Sequence, residues 1–120
     1  MSMAIPVPAL KITATDILIR TAVAADDLAT AIGCATVARA QLTHGVTLWF
    51  DAVHTDPTRR PNRAAVCLLL NCSDLEEDTV PIPAGDVVLT GTDPDTGGPA
   101  ELTPAQYIAL AMALVDSAAA

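Results

Sequence analysis

The stretch "LTPAQYIALAMALVD", residues 102–116, constrains the fold more than any other part of the chain. Thr103 stands where a helix N-cap belongs, Pro104 at the first helical position, and Gln106 where a capping box needs its second partner. A helix therefore starts here. Apart from Gln106 it is apolar on every side. Such a helix is either deeply buried or part of an interface, and the rest of the chain must supply the cover.

That cover is built from small aliphatic residues. The chain is 52% hydrophobic, yet Trp49, Phe50 and Tyr107 are its whole aromatic supply. Ala, Val, Leu and Ile must fill the core, which buries less area per residue than an aromatic one and implies a modestly stable monomer. At 120 residues the length suits one domain with a single core. So high an apolar fraction in so small a domain also implies that some of it faces a partner. The formal net charge of −8 argues against nucleic acid, whose phosphates need a basic footprint, and against anionic membrane surfaces. No apolar run is long enough to span a bilayer. "MSMAIPVPALK" has no basic n-region, so no classical signal peptide is expected, and the expected location is the cytoplasm or a virion.

"PALKIT" reads as a short strand after a proline-punctuated lead. From Thr15 a stripe of Ile17, Thr21, Ala24, Leu28, Ala31, Ala35, Ala38 and Leu42 follows helical spacing, stopped by His44-Gly45. This predicts helix over residues 15–43, as one helix or as two if Asp26 and Asp27 cap a second. "VTLWFDAVH" and "RAAVCLLLNC" then predict a hairpin in which Phe50 faces Leu68, Leu48 faces Leu70 and Ala52 faces Val66. That face is wholly apolar; the other, with Thr47, Trp49, Asp51 and Val53, is half apolar, so both faces want cover. "TVPIPAGDVVLTG" predicts a second, shorter hairpin, its Pro81 and Pro83 placed at a sheet edge because proline cannot donate ladder bonds. The expected fold is α+β: an antiparallel sheet of about four to five strands built from two hairpins, carrying an N-terminal helical segment and a C-terminal helix.

Chemistry-bearing patterns are weak. Cys34, Cys67 and Cys72 with His44 and His54 are the possible thiols and bases of a nucleophilic site, but none stands in a nucleophile motif. Cys67 and Cys72, on one strand, would point to opposite faces and so not pair. "FDAVHTD" gathers Asp51, His54 and Asp56, but strand parity sends Asp51 and His54 to opposite faces. "TDPDTGG" lacks the spacing of a calcium loop, and neither the P-loop nor the dinucleotide pattern occurs. No catalytic residue, metal or cofactor is expected.

The charge distribution is more informative. Three of the six basic residues, Arg59, Arg60 and Arg63, fall in "TDPTRRPNR", stiffened by Pro57 and Pro61. Asp74, Glu76, Glu77 and Asp78 form an acidic turn soon after. A basic tip meeting an acidic turn on another copy is a head-to-tail contact. These seven residues are the expected partner-binding set. The function they suggest is a non-enzymatic, self-associating structural or assembly subunit, of a viral or phage particle or another homo-oligomeric complex. Two alternatives stay open at this level: a small acidic adaptor or inhibitor binding a basic partner protein, and a small cysteine- or histidine-dependent hydrolase or transferase.

Overall fold

The computed structural model describes residues 5–52 and 60–119. Strand β1 (Val7–Ile12) turns into β2 (Leu18–Val23), followed by a single 3-10 turn and a short helix, α1 (Leu28–Ile32). A second hairpin, β3 (Val37–Gln41) and β4 (Val46–Asp51), leads to helix α2 (Arg63–Cys72). The chain ends in β5 (Val87–Thr92), a two-residue strand β6 (Pro99–Ala100) and the long helix α3 (Pro104–Ala119). The sheet is antiparallel throughout, in the order β2-β1-β5-β4-β3, with β6 pairing the far end of β5. The α+β class and the antiparallel sheet agree with the sequence reading.

Each face of the sheet carries helix. Leu10, Ile12, Leu48, Phe50, Val87 and Leu89 point to the face that packs against Ala65, Leu68 and Leu69 of α2 and Leu110 of α3. Ala9, Val23, Trp49 and Val88 point the other way and meet Leu28 and Ile32 of α1. The parity expected for β4 is therefore observed, and its two faces are both covered.

Three parts of the sequence reading are corrected. The helix expected over residues 15–43 is replaced by β2, the five-residue α1 and β3. Half of its stripe is alanine, which suits either period. Ile17, Ile19, Thr21 and Val23 also alternate with period two, and their branched side chains favour the strand. Asp16, at φ 66°, closes the β1–β2 turn in the left-handed conformation aspartate tolerates. Asp26 and Asp27 do mark a helix start, but neither side chain bonds as a cap, and Gly33, at φ 79°, stops α1 after five residues.

"RAAVCLLLNC" is a helix and not the return strand of a hairpin. Asn62 accepts a hydrogen bond from the Ala65 amide at 3.0 Å, and the alanines and leucines that follow are strong helix formers. Phe50 accordingly pairs with Ala38, and Leu48 with Ala40 and Leu89. Cys67 and Cys72 lie five residues apart on this helix, and the three cysteines form no disulfide.

The second hairpin reduces to β5 alone, at the centre of the sheet. Pro81 and Pro83 lie in irregular chain outside it, consistent with their missing donors. Only Ala84 makes a bridge, to Pro61.

The helix at the C-terminus forms as expected. Thr103 Oγ1 accepts from the Gln106 amide at 3.2 Å, and Gln106 Oε1 accepts from the Thr103 amide at 2.9 Å. The same Gln106 side chain donates to the carbonyls of His44 and Gly45 in the β3–β4 turn.

Candidate functional site

Of the seven expected partner-binding residues, Arg59 lies outside the described residues, as do His54 and Asp56. Arg60 and Arg63 stand at the start of α2, while Asp74, Glu76 and Asp78 follow its end, with Glu77 opening a 3-10 turn. The ten residues of α2 separate the two groups by about 15 Å. Among the described residues an ion pair joins Lys11 to Asp86 at 3.5 Å, and none joins the two charged groups. The signs also run against the helix macrodipole. Arginine adds to the positive end and carboxylates follow the negative end, an arrangement that does not stabilise the helix.

A stripe of apolar exposure lies elsewhere, on α3. One flank of α3 packs inward through Leu110, while Ile108, Met112 and Val115 are 58%, 62% and 66% exposed. Their spacing of four and three residues puts them in one stripe facing away from the sheet. At the far end of α3 an open groove of about 550 Å³ is lined by Leu114 and Val115, by Ala64 and Cys67 of α2, and by Leu18 of β2. The stripe thus continues onto the sheet edge at Leu18, while Ile17 and Ile19, also exposed, alternate to the face that carries α1.

That edge is open. The Thr13 amide donates to the Ile17 carbonyl at 2.9 Å, in the same register that pairs Lys11 with Ile19 and Ala9 with Thr21. These are the hydrogen-bonded pairs, so the backbone groups of Leu18, Arg20 and Ala22 point outward. Edges are ordinarily guarded by lysine, proline or a bulge. β2 has one charged residue, Arg20, and its guanidinium lies over the Tyr107 ring at 4.5 Å. Sequence reasoning missed this surface because it read residues 15–43 as helix; the alternation of Ile17, Ile19, Thr21 and Val23 was the available signal.

The opposite sheet face carries a polar network. Trp49 Nε1 donates to Thr90 Oγ1 at 2.9 Å, Thr47 and Thr92 share a hydrogen bond of 2.6 Å, and Gln41 donates to Thr92 Oγ1 at 3.1 Å. Arg39 donates to the Gly97 carbonyl at 2.7 Å, tying β3 to the loop between β5 and β6. In that loop Asp93 accepts from the Asp95 amide at 2.9 Å, and Gly97 donates to the Asp93 carbonyl at 2.8 Å. "TDPDTGG" is thus a turn held by its own bonds.

The thiols do not assemble a nucleophilic site among the described residues. Cys72 and His44 border one groove between α2 and α3, but burial pushes the Cys72 thiol above its ordinary pKa. A raised pKa keeps it protonated at neutral pH, the opposite of an activated thiolate. Cys34 Sγ donates to the Thr36 carbonyl at 3.5 Å, and Cys67 lines the apolar groove beside α3. No group of three or more His, Cys, Asp or Glu is placed to hold a metal ion among the described residues. Nor, among those residues, is any helix long and apolar enough to cross a membrane.

No family model, curated protein or solved structure matches this chain.

Proposed function

We propose that this protein is a non-enzymatic, self-associating subunit whose contact surface is the β2 edge together with the outer stripe of α3. One observation carries the reading: Ile108, Met112 and Val115 stay more than half exposed on a helix that otherwise packs into the core. They adjoin an unguarded strand edge through the exposed Leu18, and Ile17 and Ile19 expose further aliphatic surface on the other side of that edge. An apolar surface of this kind on a small domain marks an interface. Its removal from water on association supplies roughly 25 cal/mol per Å² of apolar area, against which the entropy of association must be set.

The two charged groups support the same reading. Within one chain α2 holds them apart, whereas between copies the basic start of one helix can face the acidic end of the next. Such contacts are screened over about 8–10 Å at physiological ionic strength, so they confer salt dependence on an association whose core is apolar.

Sedimentation velocity over a concentration series, at low and high salt, tests the proposal. The parent should associate, and the double variant Met112→Glu/Val115→Glu should sediment as a monomer with unchanged circular dichroism. A parent that remains monomeric at about 1 mM, where even a weak dimer with a free energy near −4 kcal/mol is populated, overturns the proposal.

A further inference from the structure

The second open edge of the sheet has different chemistry. On β3 the Leu42 amide donates to the Val46 carbonyl at 2.7 Å and the Ala52 amide to the Thr36 carbonyl at 2.9 Å. Both belong to the register that pairs Ala38 with Phe50 and Ala40 with Leu48, so these are the hydrogen-bonded pairs. The N–H and C=O groups of Val37, Arg39 and Gln41 therefore point away from the sheet. Among the described residues no backbone group meets them.

Beside this edge, on the face that carries α2 and α3, lies a cleft of about 630 Å³. Its floor is Ala40, Leu42 and Phe50, and its far wall is the chain leaving α2, with Asp74 and Leu75. The volume falls within the roughly 300–1,000 Å³ typical of ligand pockets. The space exists because β3 sends only Ala38 and Ala40 to this face. Neither is long enough to reach the wall.

We infer that the β3 edge and its cleft form a binding site for an extended peptide segment of a partner protein, added to the sheet as a further strand. The unmet backbone groups specify an extended chain, since they offer donors and acceptors at the spacing of a strand. In such a strand the residues opposite Val37, Arg39 and Gln41 face the polar side of the sheet, and those opposite Ala38 and Ala40 enter the cleft. An aliphatic side chain fits over Ala40 and Phe50. Lysine or arginine fits too, its stem on the same floor and its charged head at Asp74, with Glu76 and Asp78 just beyond. The segment therefore alternates, with aliphatic and basic residues on its cleft-facing side.

A second copy of this chain does not supply a free basic segment from its described residues. Lys11 lies on an inner strand, Arg39 on β3 itself, Arg63 on α2 and Arg60 beside the Pro61–Ala84 bridge, while Arg20, on the open β2 edge, is held over the Tyr107 ring at 4.5 Å. The site stands at the sheet edge opposite β2, apart from the apolar surface proposed for self-association, and shares with that proposal only the acidic residues that follow α2.

The test uses the full chain and three fluorescein-labelled eight-residue peptides. The first places valine and lysine at alternate positions and threonine between them. The second replaces lysine with glutamate, and the third carries N-methyl groups on its alternate backbone nitrogens. By fluorescence anisotropy the lysine peptide should bind at least tenfold more tightly than either relative. Its addition should shift and protect the Val37, Arg39 and Gln41 amides in NMR spectra. Ala40→Leu, which fills the cleft from its floor, should lower affinity at least tenfold while leaving circular dichroism unchanged. No binding by any peptide at millimolar concentration, equal binding by all three, or amide shifts confined to other strands would overturn the inference. So would shifts of these three amides with protein concentration alone, because the occupant would then be a second copy.

Discussion

Replacing Asn62 by alanine should unfold the protein more readily than any other single polar substitution at a helix start. Asn62 is 0% exposed, and its side chain makes three hydrogen bonds. Its Oδ1 caps α2 by accepting from the Ala65 amide at 3.0 Å. Its Nδ2 donates to the Ile12 carbonyl at 3.0 Å and to the Gly85 carbonyl at 2.9 Å, fastening α2 to the end of β1 and to the turn before β5. Loss of the cap costs about 1 kcal/mol. The Ile12 carbonyl, left buried without its donor, adds about 1–3 kcal/mol, and the less buried Gly85 carbonyl about 1 kcal/mol more. The total is roughly 3–5 kcal/mol, a large part of the 5–15 kcal/mol that holds a typical domain together. Urea unfolding followed by Trp49 fluorescence should show an unchanged slope and a midpoint lower by about 2–3 M, taking a slope near 1.5 kcal/mol/M. Asn62→Ser keeps a capping oxygen but neither long donor, and should recover only about 1 kcal/mol of the loss. A cost below about 1 kcal/mol for Asn62→Ala would refute the reasoning, because it would mean that Asn62 acts as an ordinary exposed cap.

Gly91→Ala should destabilise the sheet by about 2–3 kcal/mol, since β5 and the chain after β6 would have to separate. The added Cβ would lie 2.5 Å from the Glu101 carbonyl oxygen, and a thermal midpoint within about 2 °C of the parent would contradict this. Gln106→Ala should cost about 1–2 kcal/mol and speed hydrogen exchange both in the first turn of α3 and in Thr43–Gly45. Exchange altered in α3 alone would show that the tie to the β3–β4 turn carries no energy. The Cys72 thiol has a folded pKa raised above the ordinary 9.0 by burial, so its contribution to stability is complete below 9.0 and lost as pH rises through the folded value. Stability measured from pH 8 upward should therefore fall less steeply in Cys72→Ala, and parallel curves for variant and parent would disprove the assignment.

What could be read from the sequence followed local chemistry. The capping box of α3, the strand at "PALKIT" and the parity of Leu48, Trp49 and Phe50 are all set by neighbouring residues, and all appear in the fold. Where local signals competed, tertiary pairing decided. The alanines between Ala24 and Ala40 satisfy either period, and β2 and β3 become strands because β1 and β4 are there to pair with them. Asn62 caps α2 through a local bond to Ala65, but its two further bonds, to Ile12 and Gly85, each more than twenty positions away, have no local signal. The charged residues of the candidate surfaces were identifiable, but their placement at opposite ends of α2 was not, because that segment was read as a strand. The cleft beside β3 was hidden for the same reason, being an outcome of an edge strand the sequence reading had made helical.

The place of β5 in the sheet bears on how the chain reaches this fold. Each hairpin, β1–β2 and β3–β4, closes through a turn of a few residues, yet neither touches the other in the ladder. Only β5, later in sequence than both, joins them, pairing Leu89 with Leu10 on one side and with Leu48 on the other. Closing loops of such length is slow compared with forming a hairpin. A two-stranded hairpin is marginal by itself in water, so the stability of each hairpin, and of the sheet as a whole, waits on the one later strand that pairs with both.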